Sequence, residues 1–372
     1  MNLHSITVRV ISSTLNAPFM THLQRVTRRE ALIIEVMDTD GRVGYGEADP
    51  FSSPWYSEET IQTCRLMLKE FLIPILLANR SLQPEKLDQI WAGVRGNRMA
   101  KSGLSQAIWD LYAKQQGVYL GKLFGSTKST VEAGAVIAAN DPERAVDQIE
   151  TLEKTGHYKR YKIKISRKND FELLTKIRHH FPDLPLMADA NSDYSLADAD
   201  HLCHLDQFHL MMLEQPLAYN DLTDHAILQK IIKTPICLDE SIGSYQDAAN
   251  AIQLQSGQVV TIKMGRVGGW SQAVRILNLC VTHSIPVWCG GMIEFGIAKA
   301  HNIALASLDG FSLPGDLFAS HHYWKQDIVT PAIASDQGMV MVPNEPGIGF
   351  VVDRPALDAL TDHHEVYCKK VK

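Results

Sequence analysis

The chain has 372 residues, of which 45% are hydrophobic and 21% charged, and its formal net charge is −6. That length fits one large barrel or two domains with a sizeable core. The mild acidity sets nucleic acid aside as a partner, no apolar run is long enough to span a bilayer, and the first residues lack a basic-then-apolar leader. The six cysteines (64, 203, 237, 280, 289 and 368) are scattered and form no CxxC pair, so a reducing cytoplasm is the expected location.

Residues 1–125 read as an α+β domain. Ile6, Val8 and Val10 alternate with polar neighbours, the period of a half-buried strand. Leu32–Met37 is a second strand candidate, Asp38–Gly41 offers turn chemistry, and Val43–Glu47 returns as a third. Two helices follow. One runs from about Glu58 to Leu76. The other places Leu104, Ala107, Ile108 and Leu111 on one face, with Gly117 as its stop.

Residues 126–344 change character. Short apolar strands alternate with amphipathic helices, the signature of parallel βαβ units. Strands are expected at Ala133–Ala138, Tyr161–Ile165, Leu186–Ala188, Leu210–Leu213, Ile236–Leu238, Val259–Ile262 and Pro286–Cys289, with a weak last one near Phe311–Leu313. The middle five each end on a charged residue: Lys164, Asp189, Glu214, Asp239 and Lys263. Successive differences are 25, 25, 25 and 24, about one strand–helix unit each. In a parallel barrel the C-terminal strand ends share one mouth, so the spacing gathers five charged side chains in one pocket. Residues 345–372 need not belong to the barrel and are expected to return to the N-terminal domain.

Asp189, Glu214 and Asp239 form a carboxylate trio whose members would repel one another unless compensated. A hard divalent cation would resolve the conflict, and oxygen-only ligands favour Mg²⁺, with Mn²⁺ as a substitute, over Zn²⁺. The alternative is that each acid makes a salt bridge or caps the next helix. Lys162 and Lys164 flank Ile163, so strand alternation puts both amines on one face. Inward, they would be lowered in pKa and serve as general bases; outward, they would be solvated. Lys263 ends the sixth strand, across the barrel from the second. A carboxylate substrate held on a cation between them would meet an amine on each side, the layout for moving a proton beside a carboxylate.

The chain resembles the muconate-lactonising subgroup of the enolase superfamily over nearly its full length. The matching pieces are Lys162-Ile-Lys164, Asp189-Ala-Asn191, Glu214-Gln-Pro216, Asp239-Glu240-Ser241 and Lys263. Phe51–Tyr56, Gly96–Ala100, Gly290–Glu294 and Leu313–Asp316 resemble its o-succinylbenzoate synthase and N-succinylamino acid racemase branch, in particular the menaquinone-pathway synthase type. The resemblance implies a modified (β/α)₇β barrel with an N-terminal α+β capping domain, and Mg²⁺ on Asp189, Glu214 and Asp239. It implies Lys164 as acid/base, Lys263 on the opposite face, Lys162 tuning Lys164, and Asn191 and Glu240 near the metal. Capping loops carrying Phe19, Met20, Phe51 and Ser52, with Gly291, Met292 and Ile293, would shape a site for a small carboxylate. The implied reaction is a dehydration giving 2-succinylbenzoate, with N-succinylamino acid racemisation as the alternative and a homo-oligomer as the assembly. In this branch an arginine at Arg266 accompanies members that racemise; equally, it pairs with a nearby carboxylate at a helix start. The histidine pairs 179–180, 321–322 and 363–364 read as solvated, and His301 as packing.

Overall fold

The structure is a computed structural model and describes residues 1–79, 81–137, 139 and 141–369. Three antiparallel strands open the chain: β1 (Leu3–Met20), β2 (Arg25–Asp38) and β3 (Val43–Ala48). Ile6 and Val8 are buried on β1 as the alternation requires, and Asp38–Gly41 makes the turn, with Gly41 at φ 83°. Thr60 caps the following helix, Ile61–Met67, which passes through a π-helical turn, Leu68–Leu72, into Ile73–Ala78.

The helix Arg98–Gln116 lies across β2 and β3 and ends at Gly117 in the left-handed conformation, as expected. The contact is close because two strand residues have no side chain. A Cβ on Gly44 would stand 2.1 Å from the Ala107 carbonyl oxygen, and one on Gly46 2.1 Å from that of Gly103. Glu59 accepts from the Met99 and Ala100 amides and so satisfies that helix's first donors.

The second unit begins with β4 (Thr130–Glu132). A seven-stranded parallel sheet follows, in sequence order: β5 (Gly134–Ile137), β6 (Arg160–Lys164), β7 (Leu186–Asp189), β8 (Leu213–Glu214), β9 (Ile236–Leu238), β10 (Val259–Ile262) and β11 (Val287–Cys289). Helices alternate with the strands. The strand expected to reach Ala138 is described as far as Ile137; Ala138 lies outside the described residues. The expected eighth strand near Phe311–Leu313 is not a strand. Pro314 has no N–H to donate, so a regular ladder cannot run through it. The irregular segment 312–316 nevertheless joins the two sheet edges. Leu313 and Asp316 donate to Val287 and Cys289 of β11, and the Gly315 carbonyl accepts from Gly134 of β5. Inside the barrel, Met187, Met212, Cys237, Val259 and Trp288 make a small buried cluster of their own.

Near the C-terminus β12 (Val329–Thr330) pairs with β14 (Val351–Val352), and β13 (Met339–Met341) pairs with β4. The last strand, β15 (Thr361–Cys368), adds antiparallel to β1, completing a four-stranded sheet in the order β15-β1-β2-β3. Among the described residues no helix is long and apolar enough to cross a membrane.

Candidate active site

The register of the parallel sheet sets the site. Lys164 pairs with Asp189 and Asp189 with Glu214, so three neighbouring strands end at one level. Asp239 and Lys263 follow β9 and β10 at the same rim. All five side chains are buried. Lys162 and Lys164 both line the cavity at the barrel mouth and bond Asp316 and Asp189, and Ile163 between them does not line it, which decides the strand-face question.

The amines are anchored by the acids. Lys164 donates to Asp189 and, at 2.9 Å, to Asn191 Oδ1; Asn191 in turn donates to Glu240 Oε1 at 3.0 Å. On the other side Lys263 donates to Asp239 Oδ2 at 2.8 Å, and Arg266 holds the second oxygen of Asp239. The carboxylate-pairing role foreseen for Arg266 is therefore what its geometry shows. Lys162 reaches Asp316 Oδ2 at 2.9 Å and lies 3.3 Å from Glu214 Oε2, within ion-pair range without hydrogen-bond alignment.

Burial by itself would lower these amines. Asp316, Glu214 and Asp189 together outweigh it at Lys162 and hold that ammonium above its usual range; Asp239 and the Tyr56 oxygen do the same for Lys263. The expected lowering is thus overturned for Lys162, because the carboxylates it faces outweigh both burial and the neighbouring Arg160 cation. The acids divide. Burial pushes Glu214 up, helped by Asp189, and pushes Glu240 up, helped by Asp239. Asp189 and Asp239 also feel burial but are held down by Lys164 and Lys162 in one case and by Arg266 and Lys263 in the other.

Among the described residues no three His, Cys, Asp or Glu side chains stand as a closed metal cage, because Asp189 and Asp239 are turned onto amines. The donor set still suits a hard cation. Both carboxylate oxygens of Glu214 and Oε2 of Glu240 are buried with no hydrogen-bond partner, a costly arrangement that a cation would relieve.

A cavity of about 510 Å³, measured with its open mouth, lies between the two amines. Phe19, Phe51, Gly291, Met292 and Ile293 line it as expected. Met20 and Ser52 do not. Phe19 and Met20 belong to the end of β1 rather than to a loop, where alternation turns Met20 away from Phe19; Ser52 is exposed and bonds Glu30. His322 is not solvated as its sequence context suggested. It is half-buried against Phe318 and Tyr323, and burial lowers it to about 4. His301 packs as expected.

Sequence reasoning gave no role to Tyr56, Arg160 or Asp316. Arg160 and Lys162 both hold Asp316, and both cations lie over the Trp288 ring at 4.5 and 4.8 Å. The signal was present: Arg160, Lys162 and Lys164 alternate, so one strand face carries three cations and demands buried acid opposite.

A capped parallel barrel with opposed, acid-anchored lysines at its mouth is the architecture of a proton-transfer enzyme. The chain belongs to the mandelate racemase / muconate lactonizing enzyme family within the enolase superfamily. The family's N-terminal domain matches residues 5–125, and the enolase C-terminal domain-like fold matches residues 144–356. It is similar to the o-succinylbenzoate synthase of Geobacillus stearothermophilus, at 46% identity over 99% of this chain and 98% of that one. It is also similar to the N-succinylamino acid racemase of Thermus thermophilus, at 37% identity over 97% and 98%. A solved enolase-superfamily member from Listeria innocua superposes with a TM-score of 0.95 at 38% identity, covering all of both chains.

Proposed function

We propose that the chain is an o-succinylbenzoate synthase, dehydrating 2-succinyl-6-hydroxy-2,4-cyclohexadiene-1-carboxylate to 2-succinylbenzoate in menaquinone biosynthesis. The observation that carries the reading is the pair Lys164 and Lys263, opposed across one shielded cavity. The synthase similarity at 46% identity over nearly the whole chain supports this reaction over its relatives.

Lys164, as the free amine, takes the proton α to the substrate carboxylate, and the C–H electrons pass into the ring system. The resulting ammonium returns that proton to the departing hydroxide as the C–O bond breaks, so water leaves and the lysine is restored. Asp189 and Asn191 hold Lys164 in place for both steps. Lys263 stays an ammonium near the ring and stabilises the developing negative charge. Phe19, Phe51, Met292 and Ile293 exclude water around it. Asp189, Glu214 and Asp239 would hold Mg²⁺, or Mn²⁺ in its place, which supplies positive charge against the substrate carboxylate.

N-succinylamino acid racemisation is a second reading, favoured by the presence of an amine on each face. One experiment separates them. Purified protein with Mg²⁺ is incubated in deuterated water with the cyclohexadiene substrate and, separately, with N-succinyl-L-phenylalanine. Aromatisation of the first alone supports the synthase. Loss of optical rotation with α-deuterium uptake in the second adds racemisation, and inertness toward both sinks the proposal. EDTA should silence whichever activity is present.

A further inference from the structure

The capping domain sends one residue into the barrel's own chemistry. Tyr56 sits on the loop between β3 and the helix Ile61–Met67, and its half-buried ring lines the cavity. Its hydroxyl oxygen accepts from Lys263 Nζ at 2.9 Å and from Arg266 Nη1 at 2.7 Å. The Lys263 ammonium also lies 4.9 Å from the centre of the Tyr56 ring. Phe51 and Trp55 brace that ring from the same loop, with centroids at 5.9 and 5.7 Å.

An ammonium has three N–H bonds. In Lys263 one is directed to Asp239 and one to Tyr56. Asp239 belongs to the barrel, whereas Tyr56 belongs to the cap. With both held, the third N–H has a single direction left, and the cavity shared by Lys263 and Tyr56 is where it opens. With Asp239 alone, the amine can swing about that one bond and the third N–H has no set direction. Arg266 reinforces the arrangement by pinning the second oxygen of Asp239 and the same phenol oxygen.

We propose that Tyr56 is a positioning residue which, when the capping loop seats on the barrel, fixes the direction of the Lys263 amine toward the substrate. Lys263 would then be competent only in the closed enzyme, and the cap would control one face of the site through Tyr56, while on the other Asp189 and Asn191 of the barrel hold Lys164, with the cap's Phe19 ring 5.7 Å from its amine. The inference rests on Lys263 being one of the two working amines.

The test is Tyr56→Phe in the Mg²⁺-loaded full chain. It keeps the ring, its aromatic neighbours and the cation–π contact, and removes only the oxygen. Two hydrogen bonds from charged groups are lost, one from Lys263 and one from Arg266, so kcat for aromatisation should fall about tenfold or more, with KM within twofold. A crystal structure of the variant should show Lys263 Nζ displaced from its present position or spread over several. Unchanged kcat with Nζ in place would overturn the proposal. So would a raised KM with intact kcat, which would make Tyr56 a substrate contact instead. If the unaltered protein turned over neither candidate substrate, the proposed activity would fail, but the position of Nζ in the variant would still decide the role of Tyr56.

Discussion

His301 gives the cleanest test of how burial sets charge in this molecule. It lies inside the helix Gly296–Ala306 with no exposed surface. Trp270 Nε1–H donates to its Nδ1 at 3.1 Å, and its Nε2 faces the Tyr45 carbonyl at 2.9 Å. That pairing suits only the neutral ring with the proton on Nε2; a second proton on Nδ1 would confront the indole N–H. Burial accordingly lowers the group to about 4, against 6.5 for the free side chain, despite the opposing pull of Asp110. Between these values the unfolded chain binds more protons than the folded one, so the contribution is fully present above pH 6.5 and is lost as pH falls toward 4. From pH 7.5 to pH 4.5 the loss is about 2.5 kcal/mol, or roughly 3 °C of melting temperature for a chain of this length. In His301→Gln the amide oxygen can accept from Trp270 and the amide N–H can donate to Tyr45, with nothing left to titrate. Melting both proteins across that range should show the wild type losing about 3 °C more than the variant. His322 titrates alike in both and drops out of the difference. Parallel loss in the two proteins would refute the reasoning.

Other outcomes follow from particular contacts. Asp316→Asn leaves Arg160 and Lys162 as buried cations without their shared carboxylate, and urea unfolding should show a loss of about 3–5 kcal/mol; a loss below about 1 kcal/mol would mean that Trp288 suffices to hold them. Gly46→Ala forces a methyl against the Gly103 carbonyl oxygen and should cost at least about 2 kcal/mol by the same measurement, since sheet and helix must separate. Lys263→Ala should abolish racemisation of N-succinylphenylalanine, followed by polarimetry. Some aromatisation should survive it, because the alanine variant removes a charge but leaves Lys164 intact.

Much of this was legible in the sequence because it depends on period. A strand–helix unit has a nearly constant length, so the series 164, 189, 214, 239, 263 placed five side chains at one rim before any coordinates. Alternation put Lys162 and Lys164 on one face, with inward or outward left for the structure to decide, and Gly117 ended its helix as its flexibility allows. What was not legible depends on contacts distant along the chain. Asp316 meets Lys162 across 154 positions and Tyr56 meets Lys263 across 207, separations that no local pattern encodes. The charge state of Lys162 was misjudged for the same reason: its amine neighbour was visible two residues away, whereas the acid that dominates it was not. The last barrel strand was placed slightly early and given a regularity that Pro314 denies it.

The pairing of β15 with β1 means that the cap's sheet is assembled from segments lying on either side of the barrel in sequence. Residues 363–368 lie alongside residues 5–10, and the amide of Lys369 donates to the carbonyl of His4. A ribosome releases this chain from its beginning, so the opening sheet must wait, one edge bare, until the whole barrel has been made. Residues 4 and 369 are hydrogen-bonded neighbours, which makes the molecule a natural subject for circular permutation: a short flexible connector between them and a reopening at an exposed barrel loop should leave the mouth undisturbed.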